Sequence, residues 1–331
     1  MNTRGPHVIV TGGAGYIGAH ACKVLNAQGF TPVTFDNLST GWRDAVKFGP
    51  FEQGDLLDRA RLDQVFAAYR PVAVMHFAAL SQVGESMVDP GRYWRENVMG
   101  ALNLIEATVA ADCRHFVFSS TCATYGEKDA VTLTEDTPQE PINAYGGSKL
   151  AIEGMLRDFS ARQDLETVIF RYFNVAGADP EAELGECHQP ETHLIPLMLE
   201  AIDGKRPALT VYGTDYDTPD GTCIRDYVHV MDLVDAHVLG LKWLEEGRGS
   251  AVFNLGTGSG FSVRDVIAAS RAVTNLAVPI IEGARRPGDC SKLVSGGQRA
   301  ADLLGWHPRR STLDQMIADA WRWHQGSGFS P

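Results

Sequence analysis

Basic charge is scarce in this chain of 331 residues: 29 lysines and arginines face 41 aspartates and glutamates, a formal balance of −12. That deficit excludes a general nucleic-acid binder and a binder of acidic membrane surfaces, because both need a basic footprint. Anionic small ligands stay open, since local arginines or helix N-termini can hold them inside an acidic protein. Long apolar runs are missing too. None approaches the roughly 18 residues that a membrane-crossing helix requires, and the opening MNTRGPHVIVTGG has too short an apolar run for a signal peptide. The six cysteines, at 22, 113, 122, 187, 223 and 290, form no C-x-x-C pair. The expectation is a reduced, cytoplasmic chain with no structural zinc and no other metal. His188 and His193 stand near Cys187, which leaves a metal cluster as the alternative, and this stretch reads as a loop of ordinary polar residues. Internal repeats and low-complexity tracts are absent from the sequence.

What is present is a regular alternation. HVIV (7–10), TPVTF (31–35), AVMHF (73–77), HFVFSS (115–120) and TVIFRYF (167–173) read as buried strands. Helical segments lie between them, at 16–28, 58–69 and 92–111. Buried strands alternating with helices predict an α/β fold with a doubly wound parallel sheet, Rossmann-like. A helix over 228–246 and a strand at 251–256 read as a late return to the same sheet. Residues 178–227 differ, being rich in Pro, Gly, Asp and Glu, with one helix-like run, HLIPLMLEAIDG. Two more helix candidates follow, at 262–275 and 312–325. The predicted division is a dinucleotide-binding domain of 1–177 and 228–257, and a smaller α/β lobe of 178–227 and 258–331.

The first strand runs into TGGAGYIGAH, where Gly12, Gly15 and Gly18 follow a G-x-x-G-x-x-G spacing. Glycine there permits a tight turn and close approach of a pyrophosphate, and the following helix, opening at Tyr16 and Ile17, offers its free N–H groups. Such a pattern is weak alone. Its place at the head of the chain, after a strand, strengthens it. Asp36, followed by Asn37, ends the second strand 18 residues beyond Gly18. A carboxylate there accepts hydrogen bonds from the adenosine ribose and repels a 2′-phosphate, so NAD is expected over NADP. Asp55 and Leu56 end the third strand, within reach of the adenine. Phe77, Ala78 and Ala79 end the fourth, where small residues suit a cofactor backbone.

Tyr145 and Lys149 lie at i and i+4 in NAYGGSKLAIEG, on one face of a helix. An ammonium near a phenol favours the phenolate. A fall of about three pH units, roughly 4 kcal/mol of differential interaction, would bring the phenol near neutrality. The pair then takes a proton from an alcohol while hydride leaves the same carbon. Thr121, in SSTCATYG, is the expected third member, with Ser119 and Ser120 as neighbours.

Together these residues resemble the extended short-chain dehydrogenase/reductase family, and within it the UDP-sugar 4-epimerases. The carriers are VTGGAGYIGAH, FDNLSTG, VGESM, YWRENVMGALNLIEA, FSSTCATYG, AYGGSK, RYFNVAGADP, HLIPLMLEA, YGTDYDTPDGTCIRDYVHVMDL, FNLGTGSGFSV and RRPGD, spread over nearly the whole chain. The resemblance implies NAD, a UDP-sugar substrate, interconversion of UDP-galactose and UDP-glucose, and a homodimer pairing helices near 92–111 and 145–162. It implies Asn97 and Phe173 beside the cofactor, and Asn174, His193 and Leu194 beside the nucleotide sugar. Tyr212 would stack on uracil, Arg225 and Arg286 would clamp the diphosphate, and Asp289 would hold the uridine ribose. Arginines suit a diphosphate because their planar forks bind its oxygens in pairs. The chain departs from the family at Gln82, where some members have lysine, and at His193, where some have asparagine. Leu293 falls near the residue that gates sugar size. Dehydratases of the family place an acid directly after the strand-five threonine. Here Cys122 and Ala123 follow, which favours epimerisation. Epimerases of UDP-N-acetylhexosamines, UDP-glucuronate or UDP-pentoses are the nearer alternatives. A cofactor-sensing regulator, which lacks the catalytic pair, is the alternative from another class.

Overall fold

The computed structural model describes residues 5–128, 132–286, 290–326 and 328–329. Seven strands form a parallel sheet: β1 (His7–Thr11), β2 (Thr31–Asp36), β3 (Phe51–Gln53), β4 (Ala73–His76), β5 (His115–Thr121), β6 (Glu166–Tyr172) and, far along the chain, β10 (Ala251–Leu255). Their spatial order is β10-β6-β5-β4-β1-β2-β3. Successive residues of β1 point to opposite faces. Val8 and Val10 enter a core with the helices α1 (Tyr16–Ala27) and α8 (Val230–Glu245), while Ile9 enters a second core with α2 (Arg59–Tyr69), α5 (Gly100–Ala110) and α6 (Ala144–Arg162). Both faces are covered, which is why these strands read as continuous apolar runs rather than alternating ones.

The order reverses between β1 and β4, and in open α/β sheets ligands bind outside the strand ends at such a point. The glycine loop after β1, the end of β4 and Thr121 at the end of β5 all lie on this edge. The predicted helix over 92–111 is one helical run of three parts. It opens with α4 (Pro90–Tyr93), after the short α3 (Val83–Val88), passes through a π-helical stretch, Trp94–Met99, and continues as α5.

A smaller body sits beyond β6. Its strands are β7 (Asn174–Ala176), β8 (Leu209–Tyr212), β9 (Ile224–His229), β11 (Gly260–Ser262), β12 (Ile280–Gly283) and β13 (Lys292–Leu293). β9 pairs with β7, β11 and β13, and β8 pairs with β12. Its core joins α7 (Leu194–Ile202), α9 (Val263–Thr274) and α11 (Leu313–His324). The helix predicted from 228 begins at Val230. Val228 and His229 complete β9 instead, and the His229 ring caps the helix by accepting from the Met231 N–H. α10 (Arg299–Leu304) returns to the large sheet, where Ala300, Leu304 and Trp306 pack with α8 and β10. Among the described residues no helix is long and apolar enough to cross a membrane.

Candidate active site

The turn after β1 has the shape a pyrophosphate needs. Gly12 has φ +74°, and a Cβ on it would lie 2.6 Å from the Ala78 nitrogen. A Cβ on Gly18 would lie 2.1 Å from the Gly12 carbonyl oxygen. Any side chain at either place pushes the loop off the end of β4 or the helix off the loop. Gly15 is the N-cap of α1 and supplies no side-chain cap, so the N–H groups of the first turn, from Tyr16 and Ile17 onward, have no cap of the helix's own. Asp36 is buried, and its carboxylate accepts from the Ala14 and Leu38 N–H groups at 3.0 and 2.8 Å. Burial pushes its pKa up, against the pull of these two bonds. The Asn37 amide donates to Asp55 at 2.8 Å, which joins the ends of β2 and β3. The glycines and the fixed carboxylate fit a dinucleotide.

Two predicted cofactor neighbours have structural partners. Asn97, in the π-helical stretch, pairs with the backbone of Leu80 through both amide atoms, at 2.8 and 3.0 Å, and donates to Ser148 Oγ at 3.0 Å. It ties the end of β4 to α6. Phe77 packs on His237, with ring centroids 4.9 Å apart.

Tyr145 stands on the first turn of α6, whose N-cap Asn143 accepts from the Gly146 N–H at 2.8 Å. Thr121 ends β5. Its oxygen accepts from the Ala123 N–H at 3.1 Å, and its hydroxyl is near enough to Tyr145 to favour the phenolate. Lys149 is buried; its Nζ donates to the Ser119 carbonyl at 2.9 Å and lies 4.9 Å from the centre of the Phe118 ring. In the chain alone the phenol shift runs opposite to the direction expected with a positive nicotinamide ring beside it. Burial raises the Tyr145 pKa, the neighbouring Tyr172 adds to the rise, and Thr121 opposes them. Lys149 is itself pulled down to about 7 by burial, with Glu153 opposing. The ammonium is turned to a carbonyl and a ring face, and in the chain alone desolvation dominates at the phenol.

Sequence reasoning missed what lies under this pair. Tyr172 hydrogen-bonds Ser119 Oγ at 2.5 Å. Glu153, one further turn along α6, accepts from Ser120 Oγ at 2.6 Å and from Arg171 Nη2 at 2.7 Å. Arg171 also donates to Gln139 and to the Tyr125 hydroxyl. Ser120 is thus engaged away from the pair, and the choice among the three hydroxyls falls on Thr121. The four-residue step from Tyr145 to Lys149 also reaches Glu153, which was the available signal.

On the substrate side, the Arg286 guanidinium lies 4.3 Å from the centre of the Tyr212 ring. Arg225, on β9, donates to the Ile224 carbonyl at 2.9 Å. Asn174 opens β7, His193 caps α7 and Leu194 is its first residue. Phe173 packs with Cys122, Tyr125 and Leu133, and Leu293 packs on that cluster. Asp289 lies outside the described residues.

The stretch around His188 is a loop, as expected, and its charged side chains gather. Glu186, His188, Glu191 and His193 converge, with each offering a ligand atom within 4.8 Å of the others. Cys187 is not among them. His193 is lifted to about 10 chiefly by the Glu186 charge. In His188, burial is overcome by pairing with Glu186 and Glu191, which lifts it to about 9.

The model of the NAD dependent epimerase/dehydratase family matches residues 8–256. The UDP-glucose 4-epimerase of Rhizobium leguminosarum bv. trifolii is 49% identical over 323 residues, 98% of either chain. The crystal structure of the UDP-glucose 4-epimerase from Brucella ovis in complex with NAD is similar at a TM-score of 0.93 and 48% identity, over 96% of this chain and 98% of that one. That from Bifidobacterium longum, in complex with NAD+ and UDP, is similar at 0.90 and 35%, over 96% and 98%.

Proposed function

The chain belongs to the NAD dependent epimerase/dehydratase family, and from that premise we propose that it interconverts UDP-galactose and UDP-glucose by oxidation and re-reduction at C4. The observation that carries this reading is the Thr121–Tyr145–Lys149 set beside the glycine loop, with Cys122 and Ala123 where a dehydratase would carry its acid. NAD, when bound, supplies the hydride acceptor for C4 and a positive ring beside the phenol. Tyr145 takes the proton of the C4 hydroxyl. Thr121 bridges, because its oxygen already accepts from Ala123 and its own proton is left for the phenol. Lys149, held to about 7, favours the phenolate while charged and can exchange protons at neutral pH. Glycines 12, 15 and 18 hold the cofactor pyrophosphate, and Asp36 its ribose. Asn37, Asp55 and Leu56 flank the adenine side, and Phe77, Ala78, Ala79, Asn97 and Phe173 line the rest.

Tyr212 and Arg286, already stacked on each other, would hold uracil and diphosphate. Arg225, Asn174, His193, Leu194 and Asp289 complete the UDP contacts. The anchored UDP lets the 4-keto sugar turn so that hydride returns to its opposite face. In this reading residues 1–177 and 228–257 make the dinucleotide domain and 178–227 with 258–331 the UDP-sugar lobe, save that β7 and the end of β9 pair within the smaller body and α10 packs on the large sheet. The protein acts as a homodimer in the cytoplasm, without nucleic acid or membrane as partner. UDP-galactose labelled with deuterium at C4 is the test. The label is expected at C4 of UDP-glucose with none lost to solvent. Washout, or reduced cofactor accumulating in step with sugar consumed, would point instead to a dehydratase or a dehydrogenase.

A further inference from the structure

We propose that Glu186, His188, Glu191 and His193 form a closed zinc site at the head of α7. Four donors that hold zinc as a tetrahedron, at roughly 2.0–2.2 Å from the ion, stand about 3.3 Å apart. The histidine-to-carboxylate separations here are 2.7 and 3.2 Å from His193 Nδ1, and 3.2 and 3.7 Å from His188 Nδ1. They bracket that edge length, with Glu191 meeting His193 through Oε1 and His188 through Oε2. The two glutamates are only 8% and 7% exposed.

Hydrogen bonding within the cluster is incomplete. His188 Nδ1 is shielded from solvent and near both carboxylates, yet it is aligned for a hydrogen bond with neither. A ring nitrogen whose lone pair serves an ion behaves in this way. Glu191 is oriented by its surroundings, since one of its oxygens accepts from the Thr192 and His193 N–H groups at 2.7 and 2.8 Å. Such outer bonds fix the direction of a ligating carboxylate.

A second acidic group of the chain shows the contrast. Asp179, Glu181 and Glu183 also converge, but Lys23 Nζ sits among them at 2.8 Å from each. Their cation is built in. In the cluster around His188 the glutamates have, among the described residues, the two imidazoles as ion-pair partners. Two imidazoles with two carboxylates suit zinc, whereas magnesium and calcium favour all-oxygen sets. Four protein donors leave no open position, so the ion is structural. The segment it would close is held on both sides, by Trp42 Nε1 donating to the Cys187 carbonyl at 2.7 Å and Trp323 Nε1 donating to the Glu186 carbonyl at 3.0 Å. Coordination through Nδ1 leaves the Nε2–H of His193 as a donor.

The test is zinc binding by the cofactor-loaded protein, stripped of metal with a chelator and titrated with zinc sulfate. One zinc per chain is expected, and cobalt in its place should give the strong visible bands of tetrahedral coordination without a thiolate band in the near ultraviolet. His188→Gln and Glu191→Gln should each weaken zinc by more than the 10–100-fold that losing an outer-sphere partner costs, on the order of 100-fold or beyond. Cys187→Ser should bind as the parent does. Absence of stoichiometric zinc, an octahedral or thiolate cobalt spectrum of the parent protein, or undiminished binding in both glutamine variants overturns the proposal. The cobalt spectrum needs no variant and decides the matter should a variant fail to fold.

Discussion

Tyr145 is placed where burial holds its proton on, and Lys149 where burial takes its proton off. The two groups begin out of step with the reaction, and cofactor and substrate have to complete the tuning. If Tyr145 is the base, Tyr145→Phe keeps the fold and the bound NAD and loses turnover by about 10²–10⁴ or more, the usual worth of a positioned general base. Retention of turnover within tenfold, in protein shown to carry NAD, would remove Tyr145 from its role. Lys149 also writes itself into stability. Its value in the folded chain, about 7, lies below the ~10.4 of a free lysine. Below pH 7 both states carry the proton and burial costs its full amount. From pH 7 upward the folded chain gives up the proton before the unfolded one, so the unfolded state binds more protons and stability rises with pH until about 10.4. Urea midpoints of the parent, measured from pH 7 to pH 10, should therefore climb relative to those of Lys149→Met. Parallel profiles would mean that Lys149 stays charged in the fold.

At the scale of elements, α6 carries the chemistry on one stripe and anchors it on the same stripe. Glu153 is fully buried, and Arg171, its partner at 2.7 Å, has a side chain only 5% exposed. Glu153→Gln leaves the Arg171 guanidinium buried without its counter-charge, a change worth about 3–5 kcal/mol in other buried pairs. It also removes the one group that raises Lys149. Loss of stability in thermal and urea melts is expected, and melts equal to the parent's would show that Gln139, Tyr125 and the Glu135 carbonyl suffice for Arg171. The pairing was not legible in the sequence. The four-residue step marks Glu153 on the helix, but Arg171 lies in a strand and carries no motif. The long strands were legible because burial on both faces writes an apolar run, and Tyr145 and Lys149 because four residues make one helical turn. The strands of the smaller lobe, two to six residues each, were not, since each pairs with a neighbour distant in sequence and none is long enough to show a period. The π-helical stretch was hidden inside an ordinary helical pattern. His188 and His193, five apart in a loop, gain their meaning only when Glu186 and Glu191 fold in beside them.

Among the described residues of the molecule, an apolar face lies exposed beside α6. Met87 is 64% exposed, Trp94 44% and Ile142 46%, and the three line one groove with Pro90 and Pro141. The Trp94 ring lies over the start of α6, where a Cβ on Gly147 would come within 3.6 Å of it. Farther along α6, Leu150, Ala151 and Met155 are only partly buried. We propose this face as the one on which a homodimer would pair its helices. A two-fold interface repeats each of its residues, so a single substitution acts twice. In Trp94→Glu two carboxylates enter an apolar contact with no partner for either, and burying an unpaired charge costs several times what one ring contributes. Sedimentation velocity at micromolar concentration should show the parent as a dimer and Trp94→Glu as a monomer. Ile281 is more exposed than Trp94, at 56%, but it lies on β12 of the smaller lobe. Ile281→Glu therefore adds the same charge to an exposed apolar site away from this face, and it should leave the dimer intact. A monomeric parent would remove the dimer altogether, and a Trp94→Glu variant still dimeric while Ile281→Glu is not would move the interface off the helices and onto the smaller lobe.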